Sequence, residues 1–309
     1  DVVRLLLAAG AEANATGRRG RTPLHQACFC DNTEVVRVLL AAGFEVDSRA
    51  TDGRAALHFA LSGVHHCHSG VVQLLLAAGA DVGARDNSGR TALHGGQGRC
   101  SAVKFAELLE AGADVHARTN SGNTVLHTAR GFDGETVRAF LAAGADAGAR
   151  DNGGRTVLHG TQFNRCPEAI SLLLAAGADA SAVARRGETV LHSVGWGGSA
   201  ELVRTLLAAG ADVHAKRTGG DTALHSAGPS GNVEVIEALL AAGAEVGVRG
   251  GGGAAELHHA SWSGSAKAVQ ALLAAGAKVG SRNDAGQTAL HEASRAGYPG
   301  AVRALLAAG

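Results

Sequence analysis

Three groups of residues in this chain have side chains that could do chemistry. The run His65-His66-Cys67-His68 joins three imidazoles to a thiol, and these are the ligand types that zinc prefers. The stretch 195–200, Gly-Trp-Gly-Gly-Ser-Ala, satisfies the G-x-G-x-x-A pattern of a dinucleotide-binding turn. Nine further histidines recur along the chain, and each could act as a general base. What these groups can do depends on the elements that position them.

The nine recurring histidines each follow a leucine. The steps between them are 33 residues, except for one step of 36 and one of 32. Self-similarity at one period indicates a stack of like segments. Because the histidine recurs whatever surrounds it, we expect a structural role, with hydrogen bonds that tie a loop to a helix. The histidines are His25, His58, His94, His127, His159, His192, His225, His258 and His291.

The segment 220–252 shows the elements expected within one repeat. Thr222, three residues before a recurring histidine, is expected to cap a short helix, because its hydroxyl can accept a hydrogen bond from a first-turn amide. A second helix is predicted over 233–242, where apolar residues fall at helical spacing, and Gly243 ends it. A glycine-rich loop leads on to the next repeat. Two short helices cannot bury an apolar stripe alone, so neighbouring repeats must cover it.

These elements weaken two of the chemical interpretations. The G-x-G-x-x-A stretch falls between two helices, whereas a dinucleotide site needs that turn between a strand and a helix. The longest step places three extra residues near His65–His68, between the helices of one repeat. Adjacent positions rarely aim at one metal ion, so we expect a solvated loop there, and metal binding by it stays an open question. We expect neither a cofactor nor catalytic residues.

Two segments, 20–27 (GRTPLHQA) and 34–43 (EVVRVLLAAG), resemble an ankyrin repeat. The resemblance covers essentially the whole chain, 1–309, as a single array with a partial leading repeat over 1–19 and nine repeats from 20 to 309. It implies an all-α solenoid of stacked helix pairs. It also implies β-hairpin finger loops, each joining the second helix of one repeat to the first helix of the next. Ala55 and Ala255 replace the capping threonine in two repeats, and each loss is expected to cost about 1 kcal/mol.

Composition limits the partners and the compartment. Twenty-eight basic residues balance twenty-eight acidic ones, so we expect neither nucleic acid nor a membrane surface to be attracted by the overall charge. No apolar run is long enough to span a bilayer. Five scattered cysteines are too few for a disulfide framework, which favours an intracellular location, cytoplasmic or nuclear. The chain has no methionine, and we expect it to be a piece of a larger protein.

Two sets of residues are candidates for binding a partner. Aromatic side chains lie four or five residues after the recurring histidine, where the resemblance implies the end of the first helix and a concave inner surface. They could anchor a partner, although rings packed over a neighbouring helix would give the same pattern. Finger-loop arginines could meet an acidic strip on a partner or simply be solvated. The candidates are Phe29, Phe132, Phe163, Trp196 and Trp262, with Arg21, Arg54, Arg90 and Arg155.

We therefore predict a non-catalytic scaffold that binds a partner protein through the concave helix face and the finger loops. One alternative is a targeting module of an enzyme or ubiquitin ligase whose catalytic domain lies outside this segment. Another is a nucleic-acid-binding array that uses the arginines. Net neutrality disfavours the second alternative, and a steep salt dependence of binding would favour it.

Overall fold

The computed structural model describes Ala9 and residues 15–62, 70–95, 101–128, 133–160 and 166–309. The chain divides into two compact units, Asp1–Asn152 (unit 1) and Gly153–Gly309 (unit 2). Both units are mostly helical, and no β-sheet occurs among the described residues. The all-α prediction is thus confirmed. The single continuous array stays a prediction.

In unit 1 a short first helix is followed by a longer second helix in each repeat. The third repeat has only a 3-10 turn, Ala92–His94, in place of its first helix within the described residues. Another 3-10 turn, Arg18–Gly20, precedes the first repeat. The first helices are Pro23–Phe29, Ala56–Ala60 and Val125–Thr128, and the second helices are Thr33–Ala41, Gly70–Ala77, Ser101–Glu110 and Gly134–Ala142.

Unit 2 follows the same plan. The segment 220–252 forms the two helices predicted for it, with the second ending at Ala241. Gly243 follows with a φ of 88°, a left-handed conformation that glycine adopts without steric cost. The first helices are Val157–His159 (a 3-10 turn), Val190–Gly195, Ala223–Ala227, Glu256–Ser263 and Ala289–Ala296. The second helices are Pro167–Ala175, Ala200–Ala208, Val233–Ala241, Ala266–Ala274 and Pro299–Leu306.

Apolar stripes on the second helices form part of the core of each unit, together with buried leucines of the first helices. In Val233–Ala241, the side chains of Val235, Ile236 and Leu239 are fully buried. Burial of each such side chain contributes about 1.5–3 kcal/mol relative to leaving it exposed. The helical spacing of these residues therefore explains both why the segment is a helix and which side of it meets the neighbouring repeats.

The predicted β-hairpins of the finger loops are not confirmed. Val183 and Thr189 form an isolated antiparallel bridge, and Arg150 and Thr156 are also bridge residues, but the described residues contain no named strand. The loops form tight turns instead. In the second repeat the Gly53 amide donates to the Ala50 carbonyl at 2.9 Å, and the Ala50 amide donates to the Arg54 carbonyl at 3.0 Å. The turn holds the residue before the first helix in a fixed place.

Asparagine side chains join successive finger loops in unit 1. Asn87 Nδ2 donates to the Thr51 carbonyl at 3.0 Å, and Asn120 Nδ2 donates to the Asn87 carbonyl at 3.1 Å. Asn152 Nδ2 continues the series to the Asn120 carbonyl at 3.1 Å. Because each loop is bonded to the one before it, side chains at equivalent loop positions are held side by side.

Candidate functional site

At seven of the recurring histidines the ring joins its own first helix to a finger-loop carbonyl through Nε2. In the seventh repeat, His225 Nδ1 accepts the Thr222 backbone N–H at 3.1 Å, and Nε2 lies 3.0 Å from the Val248 carbonyl. A backbone N–H can only donate, so Nδ1 is unprotonated and Nε2 carries the proton that the carbonyl accepts. The Nδ1 bond occurs at all nine histidines. The predicted structural role is confirmed.

Thr22 Oγ1 accepts the His25 amide at 3.4 Å, as predicted for a capping threonine, but other repeats differ. Thr222 Oγ1 makes no bond to a first-turn amide and lies 2.9 Å from His225 Nδ1. The histidine ring caps the helix start, and the hydroxyl supports the ring. Ala55 and Ala255 keep the backbone bond to their histidines at 3.2 and 3.1 Å, so those repeats lose only the hydroxyl contact. The expected hydroxyl cap is absent at Thr91, Thr156, Thr189, Thr222 and Thr288.

Burial keeps several of these rings neutral. Desolvation lowers the pKa of His94 to about 4, although the hydrogen bond to the Asn123 carbonyl acts in the opposite direction and raises the pKa. The same cause lowers the pKa of His25, His58, His192 and His225. Where both ring nitrogens are bonded and the ring stays neutral at pH 7, it has no site left for proton transfer.

Two candidate arginines share one buried phenyl ring in unit 1. The guanidinium carbons of Arg21 and Arg54 lie 4.8 and 4.4 Å from the centroid of the Phe59 ring, which is fully buried. Arg54 Nη2 also donates to the His58 carbonyl at 2.8 Å. Arg21 Nε is buried without a hydrogen-bond partner among the described residues. Arg21 and Arg54 face each other across neighbouring finger loops. In the described part of the chain, no carboxylate forms an ion pair with either arginine.

Arg90 and Arg155, the other candidate arginines, pair with carboxylates of their own chain. Arg90 Nε lies 2.9 Å from Asp86 Oδ2. Burial raises the pKa of Asp86, but the hydrogen bonds and charge of Arg90 outweigh this and lower it overall. Arg155 Nη1 lies 3.4 Å from Glu188 Oε2, and Ser193 Oγ donates to Glu188 Oε1 at 3.0 Å. All four arginines lie beside finger-loop turns, and their binding to a partner stays a prediction.

The described candidate aromatics end the first helices, as predicted. Phe29 is the last residue of its helix and is half-buried. Trp196 directly follows Val190–Gly195, and Trp262 lies near the end of its helix. The two tryptophans are 59% and 54% exposed, and neither indole N–H has a partner among the described residues. Phe132 and Phe163 lie outside the described residues.

The family model described as ankyrin repeats (3 copies) matches residues 1–86, 96–183, 161–250 and 253–309. The chain belongs to the ankyrin-repeat family. No curated protein matches it at a significant level. Ankyrin repeats are generally protein-interaction modules and are typically not catalytic.

Packing explains two of the three glycines in the G-x-G-x-x-A stretch, whereas a Cβ at Gly197 would meet open space. Gly195 ends a first helix and Ala200 begins the second helix, as the spacing predicted. A Cβ at Gly195 would lie 2.9 Å from the Ser226 Cβ of the next repeat, and a Cβ at Gly198 would collide with Val194. These two glycines allow close contact between helices, which is a structural requirement.

The described residues contain neither a metal-ligand cluster nor a membrane-spanning helix. The rings of His225 and His259 approach with centroids 5.7 Å apart, but no group of three metal-ligating side chains forms in the part of the chain that the structure describes. The run His65–His68 lies outside it. Among the helices with described residues, none has the length and apolar character that crossing a membrane requires.

Sequence reasoning missed several buried groups. Phe59 directly follows a recurring histidine, whereas the predicted binding aromatics lie four or five residues after it. Lys104 and Asp31 form a buried ion pair at 3.2 Å across two repeats. Glu256 is fully buried at a position where the other repeats have Ala, Val or Pro. Its carboxylate accepts a hydrogen bond from the Gly247 amide at 2.7 Å, and burial raises its pKa. A charged residue at a position that is otherwise apolar was the signal available for Glu256.

Proposed function

We propose that this ankyrin-repeat chain is a non-catalytic scaffold that binds a partner protein through the inner ends of its first helices and its finger loops. The observation that carries the proposal is the exposure of Trp196 and Trp262 at equivalent positions of two repeats in unit 2. Tryptophan is enriched among the residues that dominate binding energy at interfaces. Each indole offers a large apolar surface and an unused N–H donor.

The alternative for these rings was packing over a neighbouring helix. A ring whose role is packing loses most of its exposed surface, as Phe59, Phe105 and Phe140 do in unit 1, where each is fully buried. Trp196 and Trp262 keep more than half of theirs. Their exposure supports binding over packing, because exposed aromatic surface on a protein marks interaction sites.

The double variant Trp196→Ala/Trp262→Ala tests the proposal in a pull-down from source-cell lysate read by mass spectrometry. The matched control is Val103→Ala/Leu306→Ala, which removes similarly exposed apolar side chains at 57% and 61% exposure. We expect specific proteins to be captured by the original chain and by the control, and to be lost from the tryptophan variant. Equal capture by all three chains would contradict the role of the two rings. Circular dichroism checks that each variant is folded.

An intracellular location is part of the proposal. Cys28, Cys30 and Cys166 are free thiols, which a reducing compartment maintains. A nucleic-acid partner is disfavoured by the equal numbers of basic and acidic residues. If a captured partner were nucleic acid, the logarithm of its binding constant would fall steeply and linearly with the logarithm of salt concentration.

A further inference from the structure

Equivalent positions in the two units differ in one respect that points to a ligand. Arg155, Glu188 and Ser193 lie 134 residues after Arg21, Arg54 and Phe59 and hold the same places in their repeats. In unit 2 the arginine is paired within the chain, because Glu188 supplies a carboxylate 3.4 Å away. In unit 1 a second arginine takes the place of that glutamate. The unit 1 cluster therefore lacks the carboxylate that its counterpart contains.

The geometry around Arg21 is that of an open cationic site. Arg18, Arg19 and Arg21 line a pocket of about 600 Å³ together with Gln26. Arg18 and Arg19 are exposed, and no ion pair to either is recorded among the described residues. Arg21 Nε has no hydrogen-bond partner there. Three arginines thus lie around one pocket, and no carboxylate of the described chain forms an ion pair with any of them.

Contacts with the Phe59 ring hold the side chains of Arg21 and Arg54 in fixed orientations. Cation–π contacts hold the guanidinium groups of Arg21 and Arg54 within 5 Å of one ring centroid. Burial, followed by the charges of Arg90 and Arg21, lowers the pKa of Arg54, opposed by Asp52. The repulsion between like charges that packing holds close together falls when an anion binds between them. A guanidinium that is already oriented loses less entropy when it pairs with a planar carboxylate.

We propose that Arg18 and Arg21, with Arg54 beside Arg21 on the Phe59 ring, bind a carboxylate-rich segment of a partner protein at the start of unit 1. The inference rests on the proposed function, since it names the chemistry of the partner. A protein carboxylate is favoured because a glutamate side chain, presented on a finger loop, fills the equivalent place in unit 2. The segment enters the pocket and supplies the acceptors that Glu188 supplies to Arg155.

The test measures binding of a short fluorescein-labelled glutamate-rich peptide by fluorescence anisotropy at physiological salt. The variant is Arg18→Gln/Arg21→Gln. The matched control is Arg185→Gln/Arg186→Gln, because residues 185–187 repeat the Arg-Arg-Gly sequence and the left-handed middle residue of residues 18–20. We expect the variant to weaken binding about tenfold or more and the control to leave it unchanged. A glutamine-substituted peptide should not bind.

Equal weakening in both arginine variants would overturn the proposal, because it would indicate general attraction by surface charge. So would displacement of the peptide by equimolar inorganic phosphate, which would identify a phosphate site. The single variant Arg18→Gln, at an exposed side chain, keeps the test valid if the double variant folds poorly. Running Trp196→Ala/Trp262→Ala in the same assay separates the two proposals. We expect it to bind the peptide normally, even if it loses the partner in the pull-down.

Discussion

Two turns in this molecule have the same sequence and backbone but different surroundings. Arg18-Arg19-Gly20 and Arg185-Arg186-Gly187 are both 3-10 turns, and their middle arginines have φ values of 65° and 62°. Arg21 follows the first turn, and Glu188 follows the second. The backbone of the finger loop is therefore independent of the next side chain. That side chain differs in charge between the two turns: Glu188 pairs with Arg155 of the preceding repeat, whereas Arg21 adds a positive charge.

The two units also use aromatic side chains differently. Among the described phenylalanines of unit 1, Phe29 is half-buried, and the buried ones are Phe44, Phe59, Phe105 and Phe140. In unit 2 all the described aromatics, Trp196, Trp262 and Tyr298, are exposed. In unit 1 a ring stabilises the repeat and orients cations, whereas in unit 2 rings remain on the surface. Under the two proposals, the unit 1 surface would meet an acidic part of a partner and the unit 2 surface an apolar part.

The largest expected effect comes from removing the ring that distinguishes unit 1. Phe59→Ala should lower the free energy of unfolding by about 3–5 kcal/mol, since it leaves a cavity under Arg21 and Arg54. Ser193→Ala, at the equivalent position, should cost only about 1 kcal/mol through the lost bond to Glu188. Urea denaturation of both variants measures the difference.

Phe59→Leu separates packing from the cation–π contacts, because leucine keeps most of the apolar volume. We expect it to recover the greater part of the loss seen with alanine and to weaken binding of the acidic peptide all the same. Equal costs for Phe59→Ala and Ser193→Ala would mean that the ring is not the stabilising element of this repeat.

Acid should act on both units alike, because both contain the same histidine arrangement. The pKa of His94 is about 4 in the folded chain and about 6.5 when unfolded. Between these values the unfolded chain binds more protons, so stability is complete above about pH 6.5 and falls as the pH is lowered. His94 alone should cost about 2 kcal/mol at pH 5. Urea denaturation at pH 7 and pH 5 measures this loss.

Burial lowers the pKa of His58 in unit 1 and of His192 and His225 in unit 2, so the total acid effect should exceed that of His94. His94→Asn should reduce the pH dependence of unfolding while lowering stability at pH 7. A stability that is constant from pH 7 to pH 5 would contradict a lowered pKa of these rings in the folded chain.

A smaller effect is expected from removing the carboxylate of unit 2. Glu188→Gln should cost about 0.5–1 kcal/mol at low salt, because Arg155 and Glu188 are partly exposed, at 43% and 30% of their side chains. The cost should shrink as salt is added, since salt screens such a pair. Denaturation at two salt concentrations measures it, and a cost that does not change with salt would assign it to the Ser193 hydrogen bond.

Sequence periodicity was sufficient to predict the helix pairs and the role of the histidines. The placement of Trp196 and Trp262 at the ends of the first helices was predictable too, because it is fixed by distance along the repeat. The Arg21–Phe59–Arg54 contact was not predictable, since it depends on side-chain directions across neighbouring loops. The same is true of the ion pair between Lys104 and Asp31, which are far apart in sequence and meet only when repeats stack.

The smallest expected effect tests the histidine cap itself, once in each unit. Ala55→Thr and Ala255→Thr should each raise the free energy of unfolding by about 0.5–1 kcal/mol, by adding the hydroxyl contact that Thr222 makes to His225 at 2.9 Å. Both alanines have the extended backbone of the threonines, so a β-branched side chain fits the local conformation. Valine at the same positions adds the branch without the hydroxyl. If valine stabilises as much as threonine, the gain comes from packing around the ring, and the backbone bond to Nδ1 is a sufficient cap without the hydroxyl.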